Sequence, residues 1–198
     1  MTKHRSSDER RDQILTAARK CFIERGYEST RMQDISRESG LSKGGIYFHF
    51  DSKMQVFDSL VDEEYEKSMS MLEEMSSGPA TASAKLGLMA QSYLSAFSTQ
   101  TARANFFIVM SEVALREESV KEKLLKLQEV YITVLAGFFE DGIAAGELRS
   151  VPPRAAAIFV KSLLDGLEGN IALGLDLELE TLIPAGVGVL LHGVANTA

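Results

Sequence analysis

Between Thr30 and Ser42 the chain contains a helix start, a helix stop and a second helix start, and that crowding leaves few folds open. Thr30 and Gln33 form the T-x-x-Q capping pattern, which starts a helix at about Arg31. Gly40 falls where a left-handed C-terminal cap is wanted, and Ser42 is suited to cap a following short helix. Only Gly40, Leu41 and Ser42 then separate the two helices, which is the connection of a helix-turn-helix.

Helical periodicity continues on both sides of this turn. Between Asp8 and Arg25, Ile14, Ala18, Cys21 and Phe22 recur on one face, and Gly26 stops that helix. Asp51 and Ser52 break the short helix, and Ser52 with Gln55 repeats the capping spacing. A fourth helix then carries Val56, Phe57, Leu60, Val61, Tyr65, Met69 and Leu72 to about Met75. The segment Ser76-Ser77-Gly78-Pro79-Ala80-Thr81 is the clearest linker. Further helices are predicted over 82–99, 103–115, 118–141, 153–174 and 178–195, with Gly142, Gly146 and the Pro152-Pro153 pair as breaks. No alternating pattern marks a strand. The expectation is an all-α chain of about nine helices, with an N-terminal three-helix helix-turn-helix domain over 8–68 and a helical bundle over 69–198.

Of the 198 residues, 45% are hydrophobic, enough to build a sizeable core. Cys21 stands alone, which excludes an intrachain disulfide and a thiolate-rich metal site and suits a reducing compartment. The polar start, Met1 to Asp12, has no apolar signal core, and nowhere is there an apolar run long enough for a membrane span, so a cytoplasmic chain without membrane partners is expected. A net charge of −7 argues by itself against phosphate binding. The distribution reverses that: Met1 to Gln55 holds eleven Lys/Arg against eight Asp/Glu, which leaves −10 on the remainder. A basic head on an acidic body directs one end of the molecule towards DNA.

A helix that enters a groove must be short, anchored on one side and open on the other. Leu41, Ile46 and Phe50 can anchor it while Lys43, Gly44, Tyr47 and His49 face outward. The adjacent Gly44 and Gly45 each cost a helix about 1 kcal/mol relative to alanine, so they require either close approach of a partner or a packing reason. Lys43 can reach a guanine edge or a phosphate, Tyr47 can donate its hydroxyl to phosphate, and the helix starts near Arg31 and Lys53 offer amides and cations. His49 stands between two phenylalanines, where packing and phosphate contact both remain open. The arm Lys3-His4-Arg5 is either a groove-reaching arm or a solvated terminus.

The run Gly40-Leu41-Ser42-Lys43-Gly44-Gly45-Ile46-Tyr47-Phe48-His49-Phe50, followed by Ser52-Lys53 and preceded by Phe22 and Gly26-Tyr27, resembles the N-terminal domain of the TetR family of regulators over roughly residues 8–68. The resemblance implies DNA contacts at Thr30, Arg31, Ser42, Lys43, Gly44, Gly45, Tyr47, His49 and Lys53. It also implies a C-terminal body over 69–198 that binds a ligand and dimerises. The chain would then be a sequence-specific transcriptional regulator, a repressor released from a palindromic operator by a small hydrophobic effector.

For the body, Leu86, Met89, Tyr93, Phe97, Phe106, Phe107 and Met110 form an apolar set open to two readings, cavity lining and ordinary core. Glu112, Gln128 and Asn170 are polar groups within apolar segments, where they either orient a ligand or face solvent. The last two helices bring Ile158, Phe159, Leu163, Leu164, Leu167 and Ile171 together with Leu182, Ile183, Val187, Leu190 and Leu191. With four interspersed glycines, that pair suits half of an isologous homodimer interface, which would space two reading helices by about 34–36 Å. An enzyme is the first rival, but His4, His49 and His192 are isolated, and no Glu-x-x-His pair, phosphate loop or nucleophile elbow occurs. No catalytic residue, metal or cofactor is therefore expected. The second rival is an interaction adaptor whose helix-turn-helix head does not read sequence.

Overall fold

In the computed structural model, residues 6–77, 81–98 and 101–194 are described, with the side chains of 6–77, 81–93 and 102–190. The arm Lys3-His4-Arg5 and the side chains of Phe97, Leu191 and His192 lie outside these. The described residues form nine helices and no strand: α1 (Ser7–Arg25), α2 (Met32–Ser39), α3 (Lys43–Tyr47), α4 (Lys53–Ser76), α5 (Ala82–Ser98), α6 (Thr101–Ala114), α7 (Glu118–Ala144), α8 (Pro153–Ala172) and α9 (Leu179–Val194). They divide into two compact units, one of residues 6–66 with Asn105–Lys123, the other of Lys67–Ala104 with 124–194. Helices α4, α6 and α7 contribute to both.

Local chemistry sets the helix ends. Ser6 and Glu9 close a capping box on α1, each side chain bonded to the other's backbone N–H. Gly40 ends α2 at φ 69°, the left-handed conformation predicted for it. Ser42 Oγ accepts the Gly45 N–H at 3.1 Å and caps α3. Ser52 Oγ accepts the Gln55 N–H at 3.1 Å, while the Gln55 side chain reaches back to the Asp51 N–H.

Two expectations need correction. The cap of α2 is Arg31 rather than Thr30: Asp34 Oδ2 accepts the Arg31 N–H at 3.0 Å, because the Thr30 hydroxyl is used elsewhere. Gly142 is not a break, since α7 runs through it to Ala144. It is a close-packing position: a Cβ there would lie 2.7 Å from both the Ala82 Cβ and the Leu148 Cδ1.

In the first unit, Phe57 of α4 is the hub. Its buried ring lies 5.3 Å from Phe22, 4.9 Å from Tyr27 and 5.6 Å from Phe106, tying α4 to α1, the following turn and α6. The Phe22 and Tyr27 contacts are edge-on, the geometry that aromatic quadrupoles favour by about 0.5–1.5 kcal/mol per pair. Arg19 reinforces the same junction, with Nη1 2.7 Å from the buried Glu64, Nη2 3.1 Å from Glu63, and the guanidinium 4.5 Å over Phe106. Three further polar links hold α2 to α1: Lys20 to Glu38, Arg25 to Asp34, and the Gln13 amide to the Ser39 carbonyl.

The second unit packs α5 against α8 and α9, with Met89, Leu135, Phe139, Ala157 and Leu164 in its interior. Pro153 begins α8, where its missing N–H costs no helix bond. Among the described residues, no helix is long and apolar enough to cross a membrane.

Removing the hub ring should be costly. Phe57→Ala should lower chemical-denaturation stability by about 3–5 kcal/mol, because three rings lose their shared neighbour. A loss under 1 kcal/mol would contradict this account.

Candidate functional site

Helix α3 is held from behind and open in front. Ile46 and Phe50 are buried, and Arg11 of α1 lies 5.2 Å from the Phe50 ring while donating to Ser59 Oγ at 2.9 Å. On the open side stand Lys43, Gly44 and Tyr47, the last 42% exposed, with the Lys43 ammonium 5.7 Å from the Tyr47 ring. Ser42 is exposed as the cap, Gly45 is half-buried behind it, and His49 is half-buried with its ring 5.1 Å from Phe48.

The glycine pair discriminates between its two explanations. A Cβ on Gly44 would meet nothing within 4 Å, and one on Gly45 would meet only Ser42 Oγ at 3.4 Å and the Leu41 Cβ at 3.9 Å. Packing inside this chain therefore does not demand the glycines. The pair leaves room for a second molecule to approach the α3 backbone.

Two of the residues singled out in the sequence bond to the chain itself. Thr30 is 1% exposed, and its hydroxyl binds the Gly26 carbonyl at 2.7 Å and the Cys21 carbonyl at 3.1 Å, so it locks the turn that precedes Arg31. The Lys53 ammonium donates to the Tyr27 carbonyl at 2.7 Å and the Glu28 carbonyl at 3.3 Å, and lies 4.1 Å over the Tyr27 ring. Burial pulls its pKa down, with the nearby Glu28 opposing. Both residues act as struts. Arg31 is exposed at the start of α2.

Phe48 was missed. It is 81% exposed, the most uncovered aromatic ring among the described residues. The signal was present: with Ile46 and Phe50 as anchors, the residue midway between them must point away from the core. An apolar ring beside Tyr47 gives the open face a hydrophobic contact to offer.

A second constellation lies in the other unit. On α8, Lys161, Asp165 and Glu168 follow one another at helical spacing, with Lys161 and Glu168 buried. Tyr93 of α5 places its hydroxyl 2.7 Å from Glu168 Oε2, 2.9 Å from Asp165 Oδ1 and 3.2 Å from Lys161 Nζ. Lys161 pairs directly with Asp165, and its ammonium lies 5.0 Å from the Tyr93 ring and 4.9 Å from the Tyr131 ring. Gln128 of α7 donates to Asp165 Oδ2 at 3.3 Å. Of the three polar groups noted in the sequence, Gln128 alone joins this cluster; Glu112 is exposed and pairs with Arg116. Burial pushes the Glu168 carboxyl up to about 8, against the opposing pull of its Tyr93 hydrogen bond and of Lys161. Burial likewise drives the Tyr93 hydroxyl well above its ordinary value.

In the same unit, α5, α8 and α9 form an apolar groove of about 100 Å³, lined by Leu86, Ala90, Val160, Leu164, Leu182 and Val187 among others. Met89 and Met110, from the candidate cavity set, are buried core instead, and Phe106 packs on Phe57. No group of acidic, histidine and cysteine side chains able to hold a metal occurs among the described residues.

Two substitutions test these constellations. Gly44→Ala should leave the fold intact and raise its stability by up to about 1 kcal/mol, while lowering DNA affinity at least tenfold. For Glu168, the folded pKa lies above the unfolded one, so its protonated form stabilises the fold at low pH and that contribution fades as pH rises towards 8. Denaturation midpoints should accordingly fall between pH 5 and pH 8, and Glu168→Gln should flatten that slope.

Residues 14–60 match the family model for bacterial regulatory proteins of the tetR family, and residues 62–196 match the model for the C-terminal region of QacR-like proteins. An uncharacterized HTH-type transcriptional regulator of Bacillus subtilis, YfiR, is 29% identical over 82% of this chain and 80% of its own length. The fatty acid metabolism regulator protein of the same organism is 29% identical over 69% and 70%. Among solved structures, the transcriptional regulator FadR from Bacillus subtilis in complex with stearoyl-CoA superposes with a TM-score of 0.76 at 24% identity, covering 92% of this chain and 98% of that one.

Proposed function

Because the chain belongs to the TetR family, whose members are DNA-binding transcription regulators and not enzymes, we propose that it is a cytoplasmic repressor of a palindromic operator, released by a small hydrophobic effector. The observation that carries this reading is the open face of α3. Lys43, Tyr47 and Phe48 stand exposed around a glycine pair that no neighbour in the chain requires. Lys43 and Tyr47 contact the duplex there, with Ser42, Gly44 and Gly45 allowing the backbone to approach and His49 at the margin. Arg31 reaches a phosphate from the start of α2.

Residues 8–68 are the reading head and 69–198 the body that binds the effector and a second copy. Homodimerisation through α8 and α9 is supported by their uncovered apolar side chains: Phe159 is 61% and Val189 76% exposed, with Ile158 and Leu163 also exposed. Two heads about one DNA turn apart then read two half-sites. The groove between α5, α8 and α9 supports an apolar effector, and a relative named as a fatty acid metabolism regulator is consistent with one. Effector binding shifts a two-state equilibrium away from the DNA-competent spacing.

Titration against labelled DNA from upstream of its own gene, at about 150 mM salt, tests the reading. The protein should prefer that DNA to a scrambled duplex, and Lys43→Ala and Tyr47→Ala should each lose at least tenfold in affinity. Equal, sequence-blind binding by all three proteins would overturn it in favour of an adaptor with a helix-turn-helix head.

A further inference from the structure

Lys123, in the second turn of α7, is shared between two carboxylates of α4, Asp58 and Asp62, which stand one helical turn apart. Its ammonium lies 2.7 Å from Asp62 Oδ1 and 3.5 Å from Asp58 Oδ1. Burial alone would pull the Lys123 pKa down, but the bond to Asp62 and the charge of Asp58 outweigh it and hold the pKa above its ordinary value. The two carboxylates differ in what water can do for them. Asp62 is more than half exposed, so solvent can replace the lysine there. Asp58 Oδ1 is buried and accepts no hydrogen bond. A buried acceptor in that condition is costly, and the ammonium that would satisfy it stands just beyond bonding geometry. Three N–H donors could serve both oxygens, yet α7 holds the lysine stem where Asp62 is the better reached. Closing on Asp58 requires α7 to move towards the start of α4.

We propose that Lys123 is a two-seat latch: seated on Asp62 it holds α4, and α3 with it, in one setting of the reading head, and closing on Asp58 puts them in a second setting with a different operator affinity. The latch rests on the DNA reading given above and supplies a two-state element for it. Only Phe48 to Ser52 separate α3 from α4, so a shift of α4 is carried into α3. The chain leaves the first unit immediately after Lys123, and α7 continues into the second. Lys123 therefore grips α4 at the last point where α7 belongs to the head, and whatever displaces the rest of α7 acts on the seat. A static ion pair needs one carboxylate. One bonded and exposed carboxylate, with a buried and unbonded one a turn away, is the arrangement that two positions of one cation require.

The test uses the full-length protein and the variants Asp58→Asn, Asp62→Asn and Lys123→Met, singly and combined. Each carboxamide keeps the shape of its side chain and removes the charge that draws the ammonium. Asp62→Asn should favour the Asp58 seat, and Asp58→Asn the Asp62 seat. Their dissociation constants for the DNA from upstream of the gene should therefore fall on opposite sides of the unaltered protein's and differ at least tenfold. Both shifts should shrink below threefold in the Lys123→Met background. A merely structural contact would move both variants in the same direction. Without DNA, a double-mutant cycle in urea reads the coupling of Lys123 to Asp58, which should change the unfolding equilibrium constant at least threefold more in the Asp62→Asn background. Shifts in the same direction, a shift in one variant alone, shifts that survive in Lys123→Met, or an unchanged coupling would each overturn the latch. Preference of the unaltered protein for the upstream DNA over a scrambled duplex is measured first. Its absence overturns the DNA reading and the latch's role in it, while the urea cycle, which needs no DNA, judges the two seats by themselves.

Discussion

The first unit is organised around one buried ring. Phe57 is where α1, the turn at Tyr27, α4 and α6 meet, and its contacts are directional as well as apolar. A short helix such as α3 has too few internal hydrogen bonds to hold itself. It is fixed by Ile46 and Phe50 at its back, by Ser42 at its start, and by α2, which polar links hold to α1. Lys53 and Thr30 belong to the same framework, since both close the backbone of the segment between α1 and α2.

The body follows a different rule. Its interior is mostly apolar, yet α8 buries a lysine and a glutamate with a partly exposed aspartate between them. Removing charged groups from water is expensive, and an ordinary helix bundle can be built without doing so. The arrangement limits that cost by pairing Lys161 with Asp165 and laying the ammonium over two tyrosine rings, while burial shifts the Glu168 carboxyl towards its neutral form. One acceptor remains unsatisfied, on the two helices that also form the apolar groove.

Much of the fold was legible because helix caps are local. Gly40, Ser42, Ser52 and Gln55 act within a few residues of themselves, so their chemistry is readable without knowing what lies across the molecule. Where a residue's partner lies outside the helix it was assigned to, local reading missed it. Thr30 looked like a cap, but its hydroxyl is taken by Cys21 and Gly26. Lys53 reads locally as a cation at a helix start, and its bonds to the Tyr27 and Glu28 carbonyls are visible only in the structure. Gly142 looked like a break, but it is small because Ala82 and Leu148 press on it. Phe48 could have been found from the spacing of its own anchors.

The sequence by itself determined the all-helical class, the helix-turn-helix, the basic head on an acidic body, and the anchored and open sides of the recognition helix. Each follows from periodicity, capping or charge along the chain, which are short-range properties. Only the tertiary structure decided which cations are free and which are struts, that the glycine pair faces open space, and that Tyr93, Lys161, Asp165 and Glu168 converge. The reason is physical: hydrogen-bond and ion-pair partners are chosen by distance in space, and Tyr93 lies 75 residues from Glu168 along the chain.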